Sequence, residues 1–371
     1  MLWMFLACSG KPIDSAAANP QCTPEEFPAD SFLLLPAETR TQIHSDTASN
    51  GLLTWVVYNL PNDSNQFETH LLALGCDGQL AWGPELIMVE PGVNQTTPRV
   101  AVSGDRVLVA TGGDSGQGPT NLSLRIYIQD SEGEVIADRI WAPPIEETTE
   151  GNRWLPSVVG TEEGFWMAAA VGRESHFQTA VQALDREGEP RGDAHWVGPD
   201  AYAVFPNIDA DGDRYVVAWE TGEESVGWQQ GGVDGADAES LIQSNAGAPR
   251  VLWADGQPRL LSHQRSPLQV QADGQPISES SSTHFPNAAQ GDSTTLFTHY
   301  RLLSGTQNAL LYGQLGAAGA LRMDQELTSD PPAAPYRPAV THVSGDSYLV
   351  LWSEGINPNF VLRGQFITLQ P

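Results

Sequence analysis

The sequence is poor in positive charge. Its 371 residues contain 18 lysines and arginines against 46 aspartates and glutamates, Lys11 is the one lysine, and the net charge is −28. Such a surface repels nucleic acid and anionic lipid, so we expect no nucleic-acid partner. A strongly acidic surface also keeps proteins soluble in saline surroundings. We prefer this interpretation of the charge to one that invokes a partner.

The sequence also has few segments with the 3.6-residue apolar period of an amphipathic helix. Its 36 glycines and 27 prolines interrupt helices and favour turns. A hydrophobic fraction of 40% with 11 tryptophans is nevertheless enough for a real core. We therefore expect a folded, all-β protein.

Cysteine is scarce as well, with three in the chain. The apolar run that ends in FLAC, at residues 5–8, resembles a bacterial lipobox, in which the signal is cleaved before a cysteine that is then acylated. The resemblance implies a signal-like segment over residues 1–8 and lipidation of Cys8, which would tie the protein to a membrane through its lipid alone. The alternative is an apolar terminus without a role.

Residues 9–30 are rich in Pro, Ala, Ser and acidic residues and predict a flexible tether. The two other cysteines are Cys22, in this tether, and Cys76, in the first folded unit. If the protein is exported, an oxidising compartment allows these two to form a disulfide that pins the tether to the body. Two unrelated thiols are the other interpretation.

The body of the chain repeats one pattern seven times. Each copy opens with a proline or its substitute, runs as a short apolar strand, turns at Gly-Asp or a similar pair, and enters a second strand rich in Val, Leu, Tyr and Trp. The copies open at Thr41, Pro98, Pro156, Pro206, Pro249, Pro286 and Pro338. In this alignment His263 and His299 occupy the position of Trp55, Trp219 and Trp352, which predicts packing inside the blades.

A third strand, a second turn and usually a fourth strand follow each hairpin. The second turns contain Gly78, Gly133, Gly188, Gly235, Gly274 and Gly319, at spacings near the usual propeller-blade period of about 40 to 50 residues. The seventh copy lacks a fourth strand, and the segment SFLLLP at residues 31–36 precedes the first copy. We predict a seven-bladed β-propeller of four-stranded antiparallel blades over residues 31–371, with the N-terminal strand completing the last blade.

The repeats resemble those of a broad group of exported bacterial propeller proteins, which read roughly Pro-x-Val-Ala-x-x-Gly-Asp-x-Tyr-Leu-Val-x-Trp. Pro206 with Gly212 and Trp219 carries the match in the fourth copy, and the resemblance spans about residues 31–371. It implies a fold and no particular activity, because propellers serve as enzymes, receptors and scaffolds alike.

One turn also resembles a metal loop. Asp209, Asp211, Asp213 and Glu220 stand at positions 1, 3, 5 and 12 of a calcium-loop pattern, but Arg214 occupies the sixth position, where such a loop needs glycine. The Gly-Asp pair recurs at the same place in other copies. This recurrence favours a structural turn, and it leaves a weak calcium site at the three aspartates as the one cofactor prediction.

Propellers usually bind ligands at the mouth of the axial channel, which the first strands line. The residue after each opening proline, or after Thr41, is mostly polar between apolar neighbours. The predicted ligand-binding residues at this position are Gln42, Arg99, Asn207, Arg250 and Asn287. Two arginines in so acidic a protein could attract an anionic group, although these residues could equally bind one another and channel water.

Two functions remain open from the sequence. The first, which we favour, is a non-catalytic binding or scaffold propeller, expected to be a monomer, for an envelope protein or glycan. It would be an outer-membrane or cell-surface lipoprotein, with the periplasm as second choice. The second is a glycoside hydrolase or polysaccharide lyase with paired carboxylates at the channel mouth. The sequence offers Asp209 as the one acidic first-strand candidate, and two convergent carboxylates beside Arg99 and Arg250 would reverse the preference.

Overall fold

A computed structural model describes thirteen stretches of the chain. They are residues 21–34, 44–88, 92–114, 122–142, 148–173, 176–198, 202–222, 224–278, 282–304, 307–316, 325–333, 338–356 and 359–371. Cys8 and Gln42 lie outside these stretches, as does most of the predicted tether. No helix within them is long and apolar enough to span a membrane.

The described residues form a ring of seven blades, each of four antiparallel strands, which confirms the predicted fold. One short 3-10 helix, Pro24–Glu26, precedes the strands. Blade 1 contains β2 (Ser45–Ser49), β3 (Thr54–Pro61), β4 (Phe67–Leu74) and β5 (Leu80–Ile87). Blade 2 contains β6 (Asn94–Ser103), β7 (Arg106–Asp114), β8 (Leu122–Asp130) and β9 (Val135–Ile140). Blade 3 contains β10 (Thr148–Thr161), β11 (Gly164–Arg173), β12 (His176–Leu184) and β13 (His195–Trp196).

The remaining blades follow the same order. Blade 4 contains β14 (Ala203–Asp211), β15 (Arg214–Thr221), β16 (Ser225–Gly232) and β17 (Gly235–Ser244). Blade 5 contains β18 (Ala246–Ala254), β19 (Gln257–Arg265), β20 (Leu268–Ala272) and β21 (Gln275–Pro276). Blade 6 contains β22 (Thr283–Gln290), β23 (Thr295–Ser304), β24 (Gln307–Leu315) and β25 (Gln325–Ala333). Blade 7 contains β26 (Ala339–Ser344), β27 (Ser347–Ile356), β28 (Asn359–Thr368) and β1 (Phe32–Leu33).

The core lies between the blades. The second strand of a blade is buried on both faces, because each face packs against a neighbouring blade, and its run of Val, Ala, Tyr and Trp suits a pleated surface. Between blades 3 and 4, Trp166 packs against Tyr215 with ring centroids 4.9 Å apart. The Trp166 indole also donates to the Gly212 carbonyl at 3.0 Å, so the pair holds the first turn of blade 4.

The Gly-Asp pairs are turns between the first and second strands, as the repeats predicted. Gly104, Gly212 and Gly345 all have a φ of 58° or 59°. L side chains rarely adopt this left-handed conformation, which glycine reaches without steric cost.

The N-terminal segment closes the ring. Phe32 of β1 pairs with Gly364 of β28, which completes blade 7. Phe27 stacks on Phe366 at 4.7 Å. Cys22 forms a disulfide with Cys76, and their Cα atoms lie 5.3 Å apart. Residues 21–30, which the sequence analysis assigned to the tether, therefore lie against the body because buried contacts and a covalent bond hold them there.

Candidate functional site

The innermost strands of the seven blades run side by side around an axial channel. Each begins at one end of the channel and meets its hairpin turn at the other. We call these ends the entry mouth and the turn end. The residue after each opening proline lies near the entry mouth, and we call it the ring position. Blades 2 to 7 place Arg99, Ser157, Asn207, Arg250, Asn287 and Ala339 at the ring position.

In blade 1 the ring position is Asp46. Asp46 pairs with Val57, which packs toward blade 2, just as Arg99 pairs with Ala110, which packs toward blade 3. The alignment that placed Gln42 there was four residues too early, because blade 1 has no opening proline. The same register makes Tyr58, and not Trp55, the equivalent of Trp219.

Short polar side chains at the ring position bind the next blade. Ser157 Oγ accepts the backbone N–H of Ile208 at 3.1 Å, and Asn207 Oδ1 accepts that of Val251 at 2.7 Å. Asp46 accepts the N–H of Val100 at 3.2 Å. These bonds satisfy buried backbone groups between neighbouring blades, so they have a structural role.

Asn287 makes a related bond with the opposite polarity, because its amide donates to the Pro338 carbonyl at 2.7 Å. Arg99 and Arg250 differ in kind from these residues. A guanidinium has five N–H donors and no acceptor, so neither arginine can accept a backbone N–H from the next blade. Both line the cavity at the entry mouth.

The residue before the opening proline forms a strained collar at this mouth. Thr97, Leu155, Phe205, Ala248 and Phe285 have φ values of 49°, 53°, 53°, 50° and 51°, each beside a β-bulge in its strand. A positive φ at a residue other than glycine costs about 1 to 3 kcal/mol and often accompanies a functional site. The bulges also re-aim the neighbouring side chains.

The entry mouth contains a cavity of about 460 Å³. Residues from the ends of the second strands join the first strands around it. Its charged and histidine lining residues are His44, Asp46, Arg99, Glu220, Arg250, His263 and Arg265. Its large apolar lining residues are Leu155, Phe205 and Phe285, with Pro156, Pro206, Pro338 and Ala339 between them.

Glu220 and Arg265 connect blades 4 and 5 at this mouth. Glu220 Oε1 accepts the N–H of Ala248 at 2.7 Å, and Glu220 Oε2 lies 3.7 Å from Arg265 Nη2. A Cβ on Gly247 would come within 2.9 Å of Arg265 and 3.0 Å of His263, so glycine leaves room for both side chains. Burial raises the pKa of Asp46, against the opposing effects of Arg99 and Arg250.

Sequence reasoning missed several of these residues. His263 lines the cavity, and its predicted packing role in the blade was wrong because its alignment was off by one residue. His263 pairs with Gly247, two residues beyond Leu261, the partner of Arg250, and so corresponds to Glu220. If residues had been counted from the opening proline along both strands of each hairpin, the sequence would have shown that His263 and Glu220 occupy equivalent positions.

Two of the predicted metal-binding aspartates bind Trp253, and the third pairs with an arginine. Asp209 accepts the N–H of Trp253 at 2.6 Å, and Asp211 accepts the Trp253 indole N–H at 3.0 Å. Asp213 instead pairs with Arg191 at 2.6 Å. Burial raises the pKa of Asp209 to about 6.

Glu220, the last member of the calcium-loop pattern, lies at the other end of β15 from the turn, about 20 Å away along an extended strand. It therefore cannot join the three aspartates. Within the described stretches, no group of three or more His, Cys, Asp or Glu side chains is arranged to hold a metal ion. The calcium site stays a prediction.

The fold has solved relatives, while no family model and no curated protein matches the chain. A protein of unknown function from Dyadobacter fermentans superposes with a TM-score of 0.59 at 11% identity, over 92% of this chain and 98% of its own. Trypanosoma rangeli sialidase, solved with the inhibitor DANA, gives 0.54 at 9% identity over 90% of this chain and 57% of its own. The N10 neuraminidase-like protein of a little yellow-shouldered bat influenza A virus gives 0.52 at 11%, over 92% and 98%. These likenesses establish the propeller fold.

Proposed function

We propose that this propeller is a non-catalytic binding protein whose entry mouth takes an anionic group of a protein or glycan partner. One observation carries the proposal. At the ring position, where Ser157 and Asn207 accept backbone N–H groups of the next blade, Arg99 and Arg250 add positive charge to the wall of a cavity. Arginine binds carboxylate and sulfate groups through paired hydrogen bonds, so arginine at these two ring positions favours the binding of an anion.

The charge balance of the mouth supports this function. Three arginines face the cavity against two carboxylates, although the protein as a whole carries −28. Glu220 binds a backbone N–H and pairs with Arg265, while Asp46 binds a backbone N–H and faces Arg99 and Arg250. Both acids thus help to position the guanidinium groups. Export, with a lipid anchor at Cys8, completes the proposal and agrees with a disulfide-bonded body.

The test is binding to anionic oligosaccharides, such as oligogalacturonate, and to a peptide library. We expect Arg250→Gln to weaken binding of the best ligand by about tenfold or more, since a hydrogen bond to a charged group contributes roughly 1.5 to 3 kcal/mol. Arg125→Gln is the matched control, because Arg125 pairs with Asp138 in the outer half of blade 2. Equal affinities for the wild type and Arg250→Gln would refute the proposal.

A glycoside hydrolase is the second candidate, and the cavity itself favours it. Asp46 and Glu220 line one cavity beside Arg99 and Arg250, which is the arrangement that would support catalysis by two carboxylates. Sialidase is also the named activity of one structural neighbour. We rank this candidate second because Asp46 and Glu220 belong to blades 1 and 4, which lie three blades apart in the ring, so they line different parts of the wall. Turnover of a panel of aryl glycosides that disappears in both Asp46→Asn and Glu220→Gln would put it first.

A further inference from the structure

We propose that the group bound at the entry mouth is the C-terminal residue of a peptide chain, with a free carboxylate and a large apolar side chain. This inference rests on the proposed function and narrows it to one ligand. Two features of the cavity carry it, namely the apolar part of its wall and the kinds of polar group that are missing from that wall.

The apolar part of the wall comes from the collar. Leu155, Phe205 and Phe285 are collar residues of blades 3, 4 and 6, and all three line the cavity. Phe205 is 43% exposed, whereas aromatic side chains of the second strands, such as Trp166 and Tyr215, are buried between the blades. An exposed phenylalanine on a strained backbone is unfavourable in the free protein, and an apolar group in the cavity would cover it.

The polar part of the wall suits one carboxylate and an adjacent N–H. Arg99, Arg250 and Arg265 offer donors for the carboxylate. The Asp46 carboxylate accepts the N–H of Val100, and an ionised carboxylate has about four lone-pair sites. One of these sites can accept the backbone N–H of the bound terminal residue. Capture of a chain terminus in this way is a known mode of peptide recognition.

The same wall is a poor match for an acidic sugar. A sugar ring carries several hydroxyl groups, and each one loses a water partner on binding and needs a replacement. Among the described residues around the cavity there is no Asn, Gln, Trp or Tyr, and the polar side chains other than the arginines and carboxylates are Ser45, Thr97, His44 and His263. A cavity of about 460 Å³ at the end of a channel also takes a terminal group end-on more readily than the middle of a polymer.

The experiment measures the binding of four small probes to the full chain by saturation-transfer NMR and calorimetry. The probes are N-acetylleucine, its amide, N-acetylglycine and glucuronate, which separate the apolar side chain from the carboxylate. We expect N-acetylleucine to bind at least tenfold more tightly than each of the other three. A fluorescent hexapeptide that ends in leucine should bind more tightly still, and its C-terminal amide should lose that gain.

Two variants test the assigned residues. Phe205→Asn should reduce the affinity for N-acetylleucine about tenfold, leave that for N-acetylglycine unchanged and preserve folding, because asparagine tolerates a positive φ. Ile140→Ala, which changes an exposed apolar side chain on an outer strand, is the control and should change neither affinity. If Phe205→Asn binds N-acetylleucine as the wild type does, the inference is wrong.

Three other outcomes also overturn the inference. Glucuronate that binds as well as N-acetylleucine would refute the inference and leave the anion-binding function standing. Binding of octanoate, measured as a fifth probe, without binding of N-acetylleucine would assign the mouth to free acids and not to peptides. Failure of every anionic probe, the hexapeptide included, would refute the inference and the proposed function together.

Discussion

The two ends of the channel are built differently. At the turn end, neighbouring blades are tied to one another: Arg186 binds Asp105, Arg191 binds Asp213, and Asp346 accepts the N–H groups of Ser293 and Thr294 at 2.9 and 2.7 Å. The Cys22–Cys76 disulfide lies at this end as well, because Cys22 donates its N–H to Gly51 in the first turn of blade 1.

The entry mouth has the opposite character. Five of its backbone positions are strained, two of its ring positions carry arginine in place of a side chain that accepts a backbone N–H, and an aromatic side chain is exposed. A ring of similar blades can therefore have stabilising contacts at one end and strained or exposed residues at the other. The turn end holds the ring together, and this stability offsets the cost of the strained collar at the entry mouth, where we propose that a ligand binds.

The largest expected effect comes from the disulfide at the turn end. The bond joins residues 54 apart in sequence, and closing a loop of that size restricts the unfolded chain by about 4 kcal/mol. Replacing Cys22 and Cys76 together by serine should lower the free energy of unfolding by about 2 to 5 kcal/mol in guanidinium titrations. A decrease below about 1 kcal/mol would show that the turn end does not depend on this bond.

A smaller effect should appear at Asp209 as a dependence on pH. The folded protein raises the pKa of Asp209 from 3.8 to about 6, so the folded state binds its proton more tightly than the unfolded state does. This preference stabilises the fold at low pH and is lost as the pH rises through about 4 to 6. In the wild type the free energy of unfolding should therefore fall by about 1 to 3 kcal/mol across that pH window, and Asp209→Asn should remove this decrease.

The measurement is urea denaturation at pH 4, 5, 6 and 7 for the wild type and for Asp209→Asn. Asp213→Asn is the control, because Asp213 forms an exposed ion pair with Arg191. If the free energy of unfolding depends on pH in the same way in the wild type and in Asp209→Asn, the pH dependence does not come from the Asp209 carboxylate.

The smallest effect concerns the strain at the entry mouth. Phe205→Gly removes a strained φ of 53° and a side chain that is already 43% exposed. The relief should exceed the entropy cost of glycine and raise the free energy of unfolding by about 1 kcal/mol. The same change at Phe297, which is buried between blades, should destabilise the protein by several kcal/mol. A clear loss of stability in Phe205→Gly would mean that the collar supports the fold.

The blade repeat was readable from the chain, because its period reflects local rules. Prolines recur at the β-bulges of the innermost strands, Gly-Asp pairs such as Gly212-Asp213 supply a turn with positive φ, and valine-rich runs form the buried second strands. Closure by the N-terminal strand was also predictable, since the seventh copy has three strands and residues 31–36 precede the first copy. The pairing of Phe32 with Gly364 agrees with that prediction.

The entry mouth was predictable in part. Arg99 and Arg250 were predicted because each follows the opening proline of its repeat, and the structure places both at one cavity. Asp46 was missed because blade 1 lacks the opening proline that would have set its register. Glu220 was noticed as one member of a calcium-loop pattern and not as a residue of the channel mouth, and Arg265 belonged to no motif.

By itself, then, the sequence determined the all-β class, the seven repeats, the turns and the closing strand, all of which depend on spacing and local conformational preference. The tertiary structure alone decided which residues of the seven blades share the entry mouth, and that Asp209 and Asp211 bind Trp253 whereas Asp213 pairs with Arg191. The reason is that a propeller brings together residues from distant blades by rotation about an axis, and one-residue shifts of register decide which side chains reach it.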